Sequence, residues 1–258
     1  MKSQLPIFEL TIAPAVSTNI LGRTPVYSNE PLILKLLSER VAWRKIEDQI
    51  VRDVCDLFYR GLKHDVIAVG MSESSAGAGL PGMFKGYGTF LALNARSVKP
   101  LDGSRWEIDG VRFHYVPETN LMMPDPQIVM SPESVEEYID MNSGSQEDIP
   151  ESDLYQESRL IEELGEKVAI LGGIGDLGTF HTWEINHILH WLYTHPTIVK
   201  KLIEYDALRC IRVAEAKIDM GIDVCFLDCD WGPSHGPFMS PRQRDLVTCA
   251  EVRCRRGA

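Results

Sequence analysis

The sequence predicts a parallel α/β fold, and three observations carry that reading. Short, near-continuous apolar runs stand at Pro6–Ala13 (PIFELTIA), Asp65–Met71 (DVIAVGM), Val168 onward (VAILGGIG) and Asp223–Cys229 (DVCFLDC). Stretches with apolar residues at helical spacing separate them, and one region, 86–118, changes to a hairpin pattern. Strands that are apolar along their whole length are those buried on both faces, as in parallel sheets covered by helices.

The elements follow in order. PIFELTIA is rich in β-prone residues and stops near Pro14, which reads as a first buried strand. A long helix is expected from Pro31 to about Leu62, with Leu36, Ile46, Ile50, Val54 and Leu57 at helical spacing. Pro31 suits a first helical position and Gly61 an end. The second strand runs into SESSAGAGLPG, a loop of small residues. Between Gly86 and Glu118, Asp102-Gly103 and Asp109-Gly110 are turn signals between β-prone runs, so one or two hairpins are expected. Met130–Met141 reads as a short helix capped by Ser131 and opened by Pro132, and the acidic stretch Asn142–Asp153 as a surface loop. The third strand ends in a Gly-rich turn. A helix from about Thr179 to Tyr193 follows, then a second opened by Pro196 and closed by Gly221. In that second helix Ile198, Leu202, Tyr205, Leu208, Ile211, Ala214 and Ile218 form one predicted apolar face. The fourth strand and a last helix from Ser240-Pro241, with Leu246 and Val247, complete the pattern.

Composition narrows the function. The chain has 258 residues, 44% hydrophobic and 24% charged, which excludes a disordered or fibrous protein. It carries 26 Lys and Arg against 37 Asp and Glu, a net charge of −11, where binding to a phosphate backbone needs a basic surface. No apolar run approaches the roughly 18 residues of a membrane span. The start, MKSQLPIFELTIAP, lacks a long apolar core or cleavage site of a signal peptide. Six cysteines (Cys55, Cys210, Cys225, Cys229, Cys249 and Cys254) in a chain without an export signal are expected to be reduced thiols in a cytoplasmic protein. The expected partner is a small-molecule substrate, with neither nucleic acid nor membrane.

Five features were weighed for chemistry. Gly173-Ile174-Gly175-Asp176-Leu177-Gly178 fits G-x-G-x-x-G after a strand, the turn that lets a backbone approach a pyrophosphate. A nicotinamide reading also needs an acidic residue about 20 positions on, and the next strand ends only near Asp228, so a tight strand-to-helix turn is the better account. Glu184-Ile185-Asn186-His187 has the E-x-x-H spacing of di-iron bundles, with His181 and His190 near, but no second such motif exists. For zinc, neither C-x-x-C nor H-x-C occurs, and Cys225 and Cys229 lie about 13 Å apart on a strand at ~3.3 Å per residue. The end of the fourth strand holds Asp228, Asp230, Trp231 and His235 in a Gly/Pro-rich loop. Strand alternation puts Asp228 and Asp230 on one face, where a carboxylate could act as acid, base or cation holder and His235 could orient or titrate. Glu9 in the first strand is either a pocket residue or half of a structural ion pair.

LGGIGDLGTFHTW (Leu171–Trp183) and GIDVCFLDCDWGPSHGPFMSP (Gly221–Pro241), with the order of elements around them, resemble the uroporphyrinogen decarboxylase superfamily. That resemblance implies a (β/α)8 TIM-type barrel. The chain would carry its N-terminal part, about four strands, with a β-hairpin insertion (86–118) after the second strand. It would form one domain over 1–258, with an atypical Cys- and Arg-rich tail at 248–258. Two branches are implied: porphyrinogen decarboxylases, and methyltransferases that work with corrinoid proteins. The decarboxylases carry substrate-binding arginines in the first-strand loop, and the aligned residues here are Thr11 and Ala15. Their essential Asp after the second strand is matched by Ser72, with Glu73 beside it, and their pocket Tyr by Trp183. An octacarboxylate substrate needs several cations, so the resemblance to the methyltransferase branch is the better one.

That branch implies a methyl group moving between a small methylated or methoxylated substrate and a corrinoid carried by a partner protein. It also implies a zinc ion on a His-x-Cys pair and a later Cys, lowering a thiol pKa or polarising a substrate oxygen. Neither piece lies within these residues, so no metal site is expected on them. The expected catalytic residues are Asp228, Asp230 and His235, with Glu9, Ser72, Glu73, Trp183 and Trp231 lining the pocket. Porphyrinogen decarboxylation is the alternative activity. An inactive remnant is a further alternative, since the barrel reads as cut short after about Val247, leaving an open edge on the fourth strand.

Overall fold

Proline stands in the first turn of four helices, and each time the backbone enters the helix there, because proline has its φ preset and lacks only an N–H that no helical carbonyl would accept. In the computed structural model, residues 6–7, 12–69, 97–118, 121–125, 131–142, 149, 154–176, 185–228 and 240 are described. The first elements are α1 (Pro14–Leu21), α2 (Glu30–Ser38) and α3 (Trp43–Val54), which continues as a π-helix over Cys55–Gly61, then strand β1 (Val66–Val69). Strands β2 (Val98–Pro100), β3 (Arg105–Ile108), β4 (Val111–Val116) and β5 (Leu121–Asp125) follow, with helices α4 (Pro132–Asn142) and α5 (Tyr155–Leu164) after them. The last are β6 (Ala169–Asp176), α6 (Ile185–Thr194), α7 (Pro196–Met220) and β7 (Val224–Asp228). No helix among the described residues is long and apolar enough to cross a membrane.

The single helix expected over Pro31–Leu62 is broken. α2 ends in a Schellman motif: Val41 N–H donates to Leu36 O (3.0 Å) and Arg40 N–H to Leu37 O (2.9 Å), with Arg40 at φ +61°. Arginine has replaced the usual glycine there, which hid the stop from a glycine-based reading. Val41, just past the cap, and Leu36, in the last turn, both pack against the core that contains Ile33 and Ile46. α1 was likewise not anticipated. It starts at Pro14, where the first apolar run was expected to stop, and residues 8–11 of that run lie outside the described residues.

Asp53, fully buried on α3, fixes the loop between α1 and α2. Val26 N–H and Tyr27 N–H donate to its Oδ2 (2.5 and 3.2 Å), Gln49 Nε2 to its Oδ1 (2.8 Å), and the Arg23 guanidinium pairs with it. A buried carboxylate is costly unless its lone pairs are filled, and here a turn of backbone fills them.

β1, β6 and β7 form a parallel sheet in the order β1-β6-β7. The same contact recurs at the feet of β1 and β7. Ile7 N–H donates to Asp65 Oδ2 (2.9 Å) while Asp65 N–H donates to Ile7 O (3.0 Å). Ile170 N–H donates to Asp223 Oδ2 (2.8 Å) while Asp223 N–H donates to Ile170 O (3.1 Å). The Asp-Val pairs that open DVIAV and DVCFL thus clip each strand to the one before it. α3, α5 and α7 lie on this sheet, with α3 packed on α5 and α5 joined to α7. By alternation, Ile67 and Ile170 face this layer, in a core with Ile46, Ile50, Val54, Phe58 and Leu160. Ala68 and Leu171 point to the opposite side and are also buried.

The hairpin region forms a separate antiparallel sheet, β2-β3-β4-β5, running past its expected end to Asp125. Asp109 (φ +47°) and Gly110 (φ +84°) join β3 and β4 in the two-residue turn that the Asp-Gly pair predicts. Trp106, Ile108, Phe113 and Met122 bury one face of this sheet against Leu34 of α2. Ser131 caps α4 as expected, its Oγ accepting from Ser134 N–H (3.2 Å). α5 was not anticipated; its start adjoins the acidic stretch read as a loop. The fold is therefore mixed α/β with one parallel and one antiparallel sheet, and neither closes on itself among the described residues.

α7 keeps its predicted ends, with Gly221 in the left-handed region at φ +105°, but its buried face is rotated. Leu208 and Ile218 are 64% and 58% exposed, whereas Val199, Ile203, Asp206, Arg209, Cys210, Val213 and Lys217 are buried beside Ile198 and Leu202. Its first half packs with Val135, Ile139 and Trp191 of α4 and α6 and its second half on β6, so no single apolar stripe describes it.

Replacing Arg40 by glycine should stabilise the protein by about 0.5–1 kcal/mol, because a left-handed position strains any residue with a Cβ; urea unfolding reads this as a higher midpoint at unchanged m-value. The exposed Asp102 carboxyl is held down to about 2 by the Ser104 N–H and then by the Arg105 guanidinium. Its contribution to the hairpin is complete above the ordinary value near 4 and disappears as pH falls through about 2. A carbon-13 titration of Asp102 should show that midpoint, and Arg105→Ala should raise it only part of the way, since the backbone donors persist.

Candidate functional site

Parallel strands deliver all their carboxyl ends to one side of the sheet, and that is where α/β folds handle ligands. Here β1 ends at Val69, β6 at Asp176 and β7 at Asp228. Asp176 and Asp228 are directly paired in the β6–β7 register, so two carboxyl-bearing residues sit side by side at the strand ends. Asp228 was expected at this position. Asp176 was missed because it was counted as part of a glycine turn, although a strand followed by Asp at its end was the available signal.

The Gly-rich segment is strand, not turn. Gly173 pairs with Phe226 and Gly175 with Leu227, leaving Ile174 as the extra residue of a bulge. The G-x-G of the apparent dinucleotide motif is thereby part of the sheet, which corrects the expected turn at Gly173, while Leu177 and Gly178 lie outside the described residues. Beside the bulge, the Gly173 carbonyl accepts from Lys217 Nζ of α7 (2.5 Å). Lys217 Nζ also donates to Glu157 Oε1 of α5 (2.6 Å), and both side chains are 0% exposed. Glycine at 172 is what lets the lysine reach: a Cβ there would lie 3.1 Å from Lys217 Cδ and 3.3 Å from Ile222 Cγ2.

Of the predicted site residues, Asp228 is placed at the end of β7 by its backbone. Glu9, Ser72, Glu73, Trp183, Asp230, Trp231 and His235 lie outside the described residues, as do the 248–258 tail and the final helix. In sequence, Ser72 and Glu73 follow β1, Trp183 follows β6, and Asp230, Trp231 and His235 follow β7.

The remaining candidates are structural where they are described. Burial pushes the Cys55 thiol up to about 11 and raises that of Cys225, so neither supplies a thiolate near neutral pH. His187 lies half-buried against Trp191, ring centres 6.0 Å apart. Among the described residues no three His, Cys, Asp or Glu side chains converge on one point. They provide no ligand set for zinc, and no chemical step is derived through that ion. Comparison with protein-family models, with curated proteins and with solved structures found no match.

Lys217→Met should cost about 3–5 kcal/mol, because it takes the buried ammonium away from Glu157 and leaves the Gly173 carbonyl without this donor. Adding Glu157→Leu should recover a large part of that loss. Guanidinium unfolding of the two single variants and the double variant measures the coupling, and strictly additive losses would sink this account.

Proposed function

We propose that the parallel strands belong to a (β/α)8 barrel of the uroporphyrinogen decarboxylase type, and that the protein moves a methyl group between a small methylated or methoxylated substrate and a corrinoid protein. The observation that carries the barrel reading is that, among the described residues, the helices packed on the parallel sheet all lie on one side of it. α3, α5 and α7 form one layer on one face of the sheet, while Ala68 and Leu171 bury small and branched apolar groups on the other. A doubly wound sheet covers both faces with helices, whereas a barrel keeps them outside and fills its interior with side chains. Strand order points the same way. The contacts run Ile7, Asp65, Ile170, Asp223 in chain order, without the reversal of a doubly wound fold.

The choice of methyl transfer rests on charge. The chain is acidic at −11 and has Thr11 and Ala15 where a porphyrinogen decarboxylase carries arginines, so it lacks the cations an octacarboxylate needs. A small neutral or monocationic methyl donor makes no such demand. In this reading Asp228 and Asp230 hold or orient the polar group of the substrate, and His235 supplies or takes the proton of the leaving oxygen or nitrogen. Trp183 and Trp231 pack on its apolar or aromatic part, with Glu9, Ser72 and Glu73 at the margins.

The test pairs the chain with free cob(I)alamin as methyl acceptor and methanol, methylamine or a methoxybenzoate as donor, read by the visible spectrum. Methylation with one donor is the expected result, falling by about a hundredfold or more in Asp228→Asn. Formation of coproporphyrinogen from uroporphyrinogen, with no methyl transfer, would overturn the reading in favour of decarboxylation.

A further inference from the structure

A groove of about 670 Å³ opens on the α2–α3 hairpin, and no strand residue lines it. It is therefore separate from the strand ends and does not rest on the methyl-transfer reading. Its two walls follow from helical spacing. α2 contributes Leu32 and Leu36, one turn apart, and the Schellman motif folds Val41 back beside Leu36. α3 contributes Lys45, Gln49 and Arg52, at spacings of four and three on one stripe, and the π-helix that continues it contributes Asp56. One wall is thus apolar and the other polar, with Ile46 buried between them.

The charges on the polar wall are not equivalent. Asp56 is occupied by Arg23 and Arg60, and Arg23 is occupied by Asp53 and Asp56. That leaves Lys45 and Arg52. Arg52 donates through Nε and Nη2 to Gln49 Oε1 (3.3 and 3.0 Å), and among the described residues neither cation pairs with a carboxylate. In a chain with 37 acidic residues, two exposed cations left unmatched beside an apolar wall are complementary to an anion with an apolar body. The volume is in the range of small-ligand sites, ~300–1,000 Å³. The wall's length limits the occupant further: α2 has 9 residues, so it extends only about 13 Å at ~1.5 Å per residue, too short to seat a long partner helix.

We propose that this groove binds a free aliphatic carboxylic acid of medium chain length. The chain lies along Leu32, Leu36 and Val41, and the carboxylate sits at Lys45 and Arg52. The Asp53 clip holds the Arg23–Val26 end of the groove in place, so the site is formed before the ligand arrives.

The test titrates the full 258-residue chain with decanoate below its micelle concentration, by calorimetry and by amide shifts, with decan-1-ol as the uncharged control. Saturable binding with a dissociation constant below about 1 mM is expected, with shifts concentrated on residues 32–52. The alcohol and the double variant Lys45→Glu/Arg52→Glu should each bind at least about tenfold more weakly. Both positions are exposed, and the milder Lys45→Gln should weaken binding severalfold with the far-ultraviolet spectrum unchanged. No saturable binding, equal affinity for the alcohol, undiminished binding in the double variant, or shifts centred elsewhere would each overturn the proposal.

Discussion

Lys217 carries its charge into a layer that water does not reach, and two other elements are arranged to receive it. Removing an ammonium and a carboxylate from water costs several kcal/mol each, and only close pairing with further hydrogen bonds offsets that. Glu157 of α5 supplies the pairing and the Gly173 carbonyl of β6 the additional acceptor. The geometry tolerates little displacement. α5 and α7 must lie at one spacing across the same strand, a Cβ at Gly172 would crowd the Lys217 stem at 3.1 Å, and the bulge at Ile174 lies next to the carbonyl that meets the ammonium. An apolar contact in the same place would have allowed the helices to slide.

From that constraint the end of β6 acquires its position. The ladder with β7 resumes at Gly175 and closes with Asp176 beside Asp228, so the ion pair behind the sheet sets the register at the end where the candidate chemistry lies. The aspartates at the feet of β1 and β7 do similar work at the other end, each taking an N–H from the preceding segment. Register is thus pinned at both ends by polar contacts. The apolar residues between them, Ile67 and Ile170 among others, provide driving force with little directional preference.

Polar groups organise the helical face in the same manner. Asp53 gathers the loop after α1, and Arg44 lies over the Tyr155 ring at 3.6 Å while the Tyr155 hydroxyl donates to Asp48 (2.6 Å), tying α3 to α5. The groove beside α2 is a by-product of this order. Its apolar wall comes from a helix stopped early at Arg40, and its cations are those the network did not use.

Much of the local structure was legible in the sequence. The apolar runs at Asp65, Val168 and Asp223, the Asp109-Gly110 turn, the Ser131 cap and the Pro196 and Gly221 boundaries of α7 depend on neighbours a few residues away, and those neighbours are present in any reading of the chain. The placement of Asp228 at a strand end was legible for the same reason. What failed depended on distant partners. The stop at Arg40 needed a left-handed arginine, which the Val41 N–H closes onto the Leu36 carbonyl. The face of α7 was misjudged because Leu208 and Ile218 look like core until one knows that Lys217 is buried by Glu157 and Gly173. The glycines of β6 were read as a turn because a bulge exists only relative to the partner strand. The sequence by itself therefore determined which segments are helix and strand and which residues can end them, since these are short-range matters of backbone dihedral and hydrogen-bond supply. Only the tertiary structure decided which polar residues are inside, because burial of a charge is settled by a partner sixty residues away and not by the residue that carries it.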